Sequence, residues 1–557
     1  MVRELEKALS LPRPVCAILA ARGLHDGAAA KAFLRPRLDA LHPPERLTDA
    51  VRAAERLSRA IEGNELVFVH GDYDVDGVCS AALLTSVLRQ LGGRVEPFVP
   101  HRVRDGYDLG RTGVQRAKAA GATLLVTCDS GIVAHDAVRH ANEMGIEVIV
   151  TDHHTPGDTL PPAYAVVNPK RSDCDYPEDT LCGAGVVFKI LERLVRERTG
   201  SVEALYPHLD LVALATIADL VPLRGENRIL AHYGLRYLAR TTRPGLRALL
   251  QVSGVDGGAD ARLEAGQVGF QLAPRINAVG RLGDAGDALE LLLTDDPRRA
   301  TELARALDRI NTERRDEDGR TFDDAIHRLT GTFDPDRDFG VVVAGEGWHP
   351  GVIGIVASRV VERIHRPVVL IALDGDSARG SARSIPELHL HDTLTECAPH
   401  LGRFGGHRQA AGMDLSPDAI PAFGDAFNAA VRRRLPDGIP APLLRADLEL
   451  APEAVTDELH HWLGYLGPFG MGNPRPVFLA RGAELSGAAR EVGRGHLKLR
   501  IRGRGELDAI GFRLAHRHRP DRVPSRVDLA YQIRTNEYRG RRTLQARLLD
   551  LRPPLEG

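Results

Sequence analysis

The sequence predicts an α/β protein built in several parts: a doubly wound parallel-sheet domain, a long connecting helix, a second α/β domain and a C-terminal β-barrel. Three observations lead there. Short apolar runs alternate with helical segments in the first half, a charged helical stretch follows, and the chain ends in short strands separated by arginine-rich turns. At 557 residues the chain is several times the usual ~150-residue domain, so more than one core is expected. Its 73 Lys+Arg against 75 Asp+Glu leave a net charge of −2. Any nucleic-acid surface must therefore be local rather than spread over the chain.

Residues 1–62 read as a helical N-terminal segment. Within it Val51, Ala54, Leu57 and Ile61 recur at a helical period. Residues 63–285 form the first domain. Strands are expected at 65–70, 124–128, 147–151 and 164–167, with helices at 78–91, 133–144, 183–198 and 209–220 between and after them. Strands alternating with helices argue for parallel pairing, because a crossover between parallel neighbours needs a helix. In such sheets ligands sit beyond the carboxyl ends of the strands. Residues 286–332 are charged and helical, with Leu303, Leu307 and Ile310 on one face, and the run Glu313 to Asp318 reads as a solvated surface. Residues 333–435 repeat the alternation with strands at 339–344 and 368–373 around a helix at 351–363. Residues 436–557 hold five short strands, the pattern of a small closed or partly closed barrel.

Several function classes fall away. No window approaches the ~20 apolar residues of a membrane span, and the opening Met-Val-Arg-Glu-Leu-Glu lacks a secretory layout. The six cysteines form no CxxC pair, which argues against a disulfide framework or a thiolate zinc site. A cytoplasmic protein without a membrane partner is expected.

The chemistry gathers at the strand ends of the first domain. The first strand runs into His70-Gly71-Asp72-Tyr73-Asp74-Val75-Asp76-Gly77, the second into Asp129-Ser130-Gly131 and the third into Asp152-His153-His154. The helix at 209–220 adds Asp219. Singly, each Asp has an ordinary alternative as a helix cap or turn former. Together they would repel and raise one another's pKa unless cations neutralised them. Carboxylates with imidazole suit Mn²⁺ or Mg²⁺, and there are enough of them for two ions sharing one carboxylate. Two such ions can clamp both oxygens of a phosphate-ester displacement.

These four ordered segments resemble the motifs of the DHH phosphoesterases. Phe404 to Gly412, with Gly405-Gly406-His407, is similar to the signature of the DHH-associated domain. Gln271 to Leu282, Pro468 to Pro474 and Asn536 to Arg542 are similar to segments of the RecJ family of single-strand-specific 5′→3′ exonucleases. One departure is Ala382, where the family pattern implies glycine. The resemblance implies His70 and Asp74 on one metal, Asp76, His153 and Asp219 on the other, and Asp129 bridging. It also implies Asp152 behind a ligand histidine and His154 facing the substrate phosphate, and it leaves the role of Asp72 open, with support of the loop as one reading. Asp129, Asp152 and His154 are the implied catalytic set. Arg281, Ser381 and Arg383, with Arg102, would hold a terminal 5′-phosphate. Arg275, Asn277, Gly406 and His407 complete the implied substrate-binding set.

The implied reaction is two-metal hydrolysis of single-stranded DNA from its 5′ end to 5′-mononucleotides, in DNA repair and recombination. The barrel resembles an oligonucleotide-binding (OB) fold. Residues 486–557 hold 17 Lys+Arg against 8 Asp+Glu, and Phe512, Tyr531 and Tyr538 are its candidate stacking aromatics. Expected partners are single-stranded DNA, a helicase and a single-strand-binding protein, with the enzyme as a monomer. Two alternatives are a DHH hydrolase of short oligoribonucleotides or cyclic dinucleotides, and a non-catalytic replication scaffold. The basic barrel speaks against the first and the complete ligand set against the second.

Overall fold

The computed structural model describes residues 1–102, 104–106, 108–258, 261–538 and 541–554, without the side chains of Tyr538 and Arg541. By contacts the chain divides into two units, one of Met1–Ala273, Leu292–Asp295 and Leu444–Gly557, the other of Pro274–Leu291 and Asp296–Leu443.

In the first unit, β1 (Leu66–Gly71), β2 (Arg94–Phe98), β3 (Leu124–Cys128), β4 (Glu147–Thr151) and β5 (Ala165–Val167) form one sheet in the order β2-β1-β3-β4-β5. Every pairing is parallel. β3 and β4 lie where the apolar runs predicted them, since a run such as Leu-Leu-Val-Thr-Cys suits a strand covered on both faces. β2 was not predicted. Its sequence Arg-Val-Glu-Pro-Phe carries charges and a proline, which the sheet tolerates because β2 is an edge strand. Helices Val75–Gln90, Gly183–Thr199 and Leu209–Ala218 pack together beside the sheet.

The second unit contains the helix Pro297–Leu329, 33 residues long and capped at its start by Asp296. Of its charge run Glu313, Arg315 and Asp316 are exposed, whereas Arg314, Glu317 and Asp318 are partly buried and Asp318 pairs with Arg359 at 3.0 Å. The sheet of this unit joins β6 (Val341–Glu346), β7 (Val368–Asp374), β8 (Ser377–Arg383), β9 (Arg403–Gly406) and β10 (Ala410–Leu415) in the order β6-β7-β8-β10-β9. Only β6 and β7 were predicted. β8 alternates small residues with arginine, and β9 is short and glycine-rich, so neither shows an apolar run. Ala382, the departure from the family pattern, is fully buried on β8 and packs in this unit's core.

The chain then returns to the first unit. β11 (Leu448–Glu449), β12 (Phe478–Glu484), β13 (Arg490–Val492), β14 (His496–Arg502), β15 (Glu506–Gly511), β16 (Arg526–Tyr538) and β17 (Arg541–Arg552) follow the order β11-β12-β16-β17-β15-β14-β13. Past the end of β12, Leu485 bridges Ile501 and Ser486 N–H donates to Arg500 C=O at 2.9 Å. That step joins β12 to β14 and closes the barrel. Val527, Leu529, Tyr531 and Ile533 alternate inward along β16. The barrel core is shared with Leu5, Val15, Ile18, Leu19 and Leu34 from the N-terminal helices Val2–Leu9, Arg13–Ala21 and Gly27–Leu34. Among the described residues no helix is long and apolar enough to cross a membrane.

Candidate active site

The strand order places a topological switch between β1 and β3, the position where open α/β sheets receive ligands. Gly71 pairs with Cys128 in that register, and the next N–H, of Asp72, donates to Cys128 C=O at 3.2 Å. Each acidic side chain is fixed by local structure. Asp74 caps the helix Val75–Gln90, its Oδ1 accepting from Asp76 N–H at 2.9 Å and Gly77 N–H at 3.1 Å. The ordinary capping role and a ligand role thus fall on one residue. Asp76 accepts from the N–H groups of Gly183 and Ala184, at 2.6 and 2.8 Å, at the start of helix Gly183–Thr199. Two glycines make the approach possible. A Cβ on Gly77 would lie 2.4 Å from Asp72 N, and one on Gly183 would lie 2.7 Å from Asp129 Cβ. Asp129 itself sits at φ 64°, a left-handed conformation that points it back over the sheet edge.

Three trios of ligand atoms result, each within 4.8 Å: Asp72, Asp74 and Asp129; Asp76, His153 and Asp219; and Asp129, His153 and His154. His153 Nε2 lies 3.0 Å from Asp129, 3.6 Å from Asp219 and 3.7 Å from Asp76. Asp129 therefore belongs to one acidic group and stands beside the other, the position of a shared ligand. Asp72, whose role the sequence left open, joins the first trio. His70 lies in none of the three. Its ring packs on Phe98 with centroids 5.4 Å apart.

The electrostatics call for cations. Burial first, then the Asp74 carboxylate, pushes Asp72 up to about 8 and Asp76 up to about 7. Burial and Asp76 push Asp219 to about 8, and Asp129 is raised well above its usual range by the same two causes. Burial pulls His70 down to about 4, and burial with the neighbouring His154 pulls His153 to about 3, so both rings are neutral. Four buried atoms here, His70 Nδ1, Asp72 Oδ1, Asp129 Oδ1 and His153 Nε2, make no hydrogen bond; His153 Nε2 and Asp129 Oδ1 approach to 3.0 Å without the angle of one. Buried polar atoms left unpaired are costly. Neutral imidazoles and converging carboxylate oxygens fit divalent cations, which would satisfy these atoms.

Asp152 and His154 form a separate pair. His154 Nδ1–H donates to Asp152 Oδ1 at 2.8 Å, and that carboxylate also accepts the N–H groups of His153 and His154. The ring Asp152 orients is thus His154 and not the ligand-type His153, a correction to the expected role. The bond raises His154 to about 9. Burial alone would raise Asp152, but the bonds and charge of His154 outweigh it and leave the carboxyl below its usual value. A residue missed from sequence, Asp108, accepts Gly131 N–H at 2.6 Å and so braces the loop after Asp129. Its signal, an Asp in a turn-rich loop, resembles any turn former.

The substrate-binding candidates divide. Arg102 stacks over the Tyr73 ring, 5.2 Å away, beside the first acidic motif. In the second unit, a Cβ on Gly354 would lie 2.7 Å from an Arg383 guanidinium nitrogen and 2.9 Å from Ser381 Oγ. Both side chains therefore meet the first turn of helix Ile353–Ile364. Arg281 donates to Gly351 C=O at 3.0 Å, just ahead of that helix. Asn277 is half-buried one turn earlier on Arg281's helix, Ala273–Leu282. Gly406 and His407 are exposed at the β9–β10 hairpin. Arg275 departs from expectation: it is buried and paired with Asp308 of the long helix at 2.9 Å, which gives it a bracing role. Tyr531 departs too. It is fully buried and donates to Leu450 C=O at 3.0 Å, so it is core and cannot stack on a base. Phe512 is exposed, under the Arg547 guanidinium at 5.5 Å. The Tyr538 side chain, Arg539 and Gly540 lie outside the described residues.

The segment Pro468 to Pro474 clasps the chain just after Asp219. Leu223 N–H donates to Met471 C=O at 2.8 Å and Arg224 Nε–H to Gly472 C=O at 2.6 Å. Buried Asn473 accepts from Arg22 and donates to Leu466 and Pro468 carbonyls, tying the loop to the N-terminal helices.

Comparison with known proteins agrees with this architecture. Residues 66–216 match the DHH family N-terminal domain, 338–433 the DHHA1 domain and 446–550 the RecJ OB domain. The chain is 40% identical over 573 residues to the single-stranded-DNA-specific exonuclease RecJ of Dickeya dadantii, covering 99% of this chain and 98% of that one. Against the Bacillus subtilis protein of the same name it is 37% identical over 554 residues, covering 99% of this chain and 69% of the relative. The crystal structure of Thermus thermophilus RecJ in complex with Mn²⁺ superposes with a TM-score of 0.84 at 34% identity, covering 100% of this chain and 78% of that one. The motifs, the three matched domains and the full-length likeness lead to one conclusion: the chain belongs to the RecJ family of single-stranded-DNA-specific exonucleases.

Proposed function

We propose that this protein is a metal-dependent exonuclease that hydrolyses single-stranded DNA from its 5′ end to 5′-mononucleotides. The observation that carries the reading is the pair of ligand groups flanking Asp129, with four buried ligand atoms that make no hydrogen bond. Relatives over nearly the whole chain are named single-stranded-DNA-specific exonucleases, and Thermus structures are in complex with Mn²⁺ and Mg²⁺. We assign Asp72, Asp74 and Asp129 to one ion and Asp76, His153 and Asp219 to the other, with Asp129 shared and His70 an additional ligand of the first. With Mn²⁺ or Mg²⁺ held there, the site gains an activated water and neutralisation of charge on the phosphate oxygens.

The remaining chemistry belongs to side chains. Asp152 keeps His154 protonated, and its ring is partly exposed. We assign His154 to the substrate phosphate, where an imidazolium opposes developing negative charge and can give a proton to the leaving oxygen. Ser381, Arg383 and Arg281 at the first turn of helix Ile353–Ile364 are assigned to the terminal 5′-phosphate, for which guanidinium groups and helix N–H groups are suited. The domain limits 63–285, 333–435 and 436–557 are retained as the catalytic, DHH-associated and OB portions. A cytoplasmic monomer supplied with single strands by a helicase and a single-strand-binding protein completes the proposal. The alternatives, a hydrolase of short oligonucleotides or a scaffold without catalysis, gain no support from relatives of this kind or from an intact ligand set.

The test is digestion of end-labelled single strands with Mn²⁺ or Mg²⁺, wild type beside Asp129→Ala. Wild type should release mononucleotides from the 5′ end, and the variant should be slower by roughly 10³-fold or more. Undiminished activity in the variant would remove Asp129 from the mechanism.

A further inference from the structure

In the second unit, the turn Trp348-His349-Pro350-Gly351-Val352 joins β6 to helix Ile353–Ile364, and its hydrogen bonds lead to residues assigned to the 5′-phosphate. The start of the turn is rigid. Trp348 is buried, its Nε1–H donates to Asp324 Oδ2 of the long helix at 2.9 Å, and a side chain on Gly345 would strike its ring. His349, the next residue, is exposed. In sequence it is one more histidine before a proline.

His349 nevertheless holds the turn twice. Its C=O accepts Val352 N–H at 3.0 Å, and its ring Nδ1 accepts Gly351 N–H at 2.9 Å. The second bond reaches the backbone two residues on, the pattern of an Asx turn made with imidazole. An Nδ1 that accepts in a neutral ring leaves the proton on Nε2. Gly351 is thereby fixed on both sides, because its C=O accepts from Arg281 at 3.0 Å. A side chain there would crowd both partners: a Cβ would lie 3.0 Å from His349 Nδ1 and 3.1 Å from the Arg281 carbonyl oxygen. Glycine is also the residue whose backbone turns most freely once a restraining bond is lost. Three positions on, Gly354 admits Arg383 and Ser381 to the first turn of the helix, and Arg383 donates to Ser381 Oγ at 3.2 Å. The imidazole bond therefore sets the peptide on which Arg281 is anchored, at the entrance to the helix end that Arg383 and Ser381 meet.

We infer that His349 is a positioning residue for recognition of the 5′ end: its ring fixes the Gly351 peptide, Gly351 fixes Arg281, and Arg281 then meets a terminal phosphate in the right place. The inference rests on the assignment of Arg281, Ser381 and Arg383 to that phosphate. A guanidinium rewards a phosphate through directed, charge-assisted hydrogen bonds, so a loosened anchor costs discrimination between 5′-phosphorylated and 5′-hydroxyl strands.

The experiment uses the full-length protein, His349→Ala and His349→Asn, with 5′-phosphorylated and 5′-hydroxyl oligothymidines of one length carrying fluorescein at the 3′ end. Kd is measured by anisotropy in EDTA, and kcat and KM with Mn²⁺. Wild type should favour the phosphorylated strand. His349→Ala should raise Kd and KM for that strand about tenfold, the scale of one charge-assisted hydrogen bond, and leave the 5′-hydroxyl strand unchanged. His349→Asn should restore the preference, because an asparagine side chain accepts the same N–H two residues on. Since His349 is exposed, its truncation removes no core packing. A wild-type preference in His349→Ala, an equal loss on both strands, or an asparagine variant as impaired as the alanine one would overturn the positioning role. Wild type that degrades both strands without preference would overturn the phosphate assignment beneath it, and wild type that degrades neither would overturn the exonuclease reading.

Discussion

The Asp152–His154 pair makes the most direct residue-scale prediction. His154 is raised to about 9, chiefly by its hydrogen bond to Asp152. A group with a raised pKa keeps its proton until pH climbs through that value, so activity that needs the imidazolium should persist to about pH 9 in wild type. Asp152→Asn keeps the shape and removes the charge. The alkaline limb of kcat/KM should then move toward the ordinary histidine range near ~6.5. An unmoved limb would show that His154 does not act as a cation. At this scale the sequence revealed residue types better than roles. Asp72 and Asp74 look alike in the motif, and only the turn geometry shows both carboxylates reaching Asp129. Arg275 and Arg281 lie on one helix, yet Arg275 is drawn to Asp308, and no spacing rule shows that. Tyr531 sat in an alternating strand whose inward face could not be chosen until the barrel closed.

At the scale of elements, the loop from β1 into helix Val75–Gln90 must turn tightly enough to bring Asp72, Asp74 and Asp76 to one sheet edge. Gly77 permits it, since any side chain there meets the Asp72 backbone. Gly77→Ala should shift the acidic loop and lower kcat on single-stranded DNA by about 100-fold, the scale expected when reactive groups move by an ångström. Near-normal kcat would mean that the close packing is incidental. Elements covered on both faces were the most legible, because burial writes itself as a continuous apolar run: β3 and β4 were found at their observed limits. Edge and half-exposed strands were not, since β2 carries Pro97 and β8 alternates alanine, serine, glycine and arginine. β16, expected from the apolar alternation only at 529–533, runs over Arg526–Tyr538.

Over the whole molecule, sequence order and spatial order diverge. The N-terminal helices share a core with the C-terminal barrel, and the Pro468 to Pro474 loop joins both to the segment after Asp219. Linear reading separates these pieces, whereas the hydrophobic effect acts on whatever surfaces meet. Such a frame holds buried carboxylates close together at a cost that falls on the metal-free protein. Asp72, Asp76 and Asp219 have folded-state values near 7–8, above their unfolded range. Their contribution to stability is therefore present at low pH and lost as pH rises through those values, unless cations replace the protons. Calorimetric titration of metal-free protein with Mn²⁺ near pH 7 tests this most directly. Two ions should bind per chain with release of protons, and Asp129→Ala should lose at least one of them. Binding of one ion or none by wild type, or an unchanged stoichiometry in the variant, would contradict a shared two-ion site.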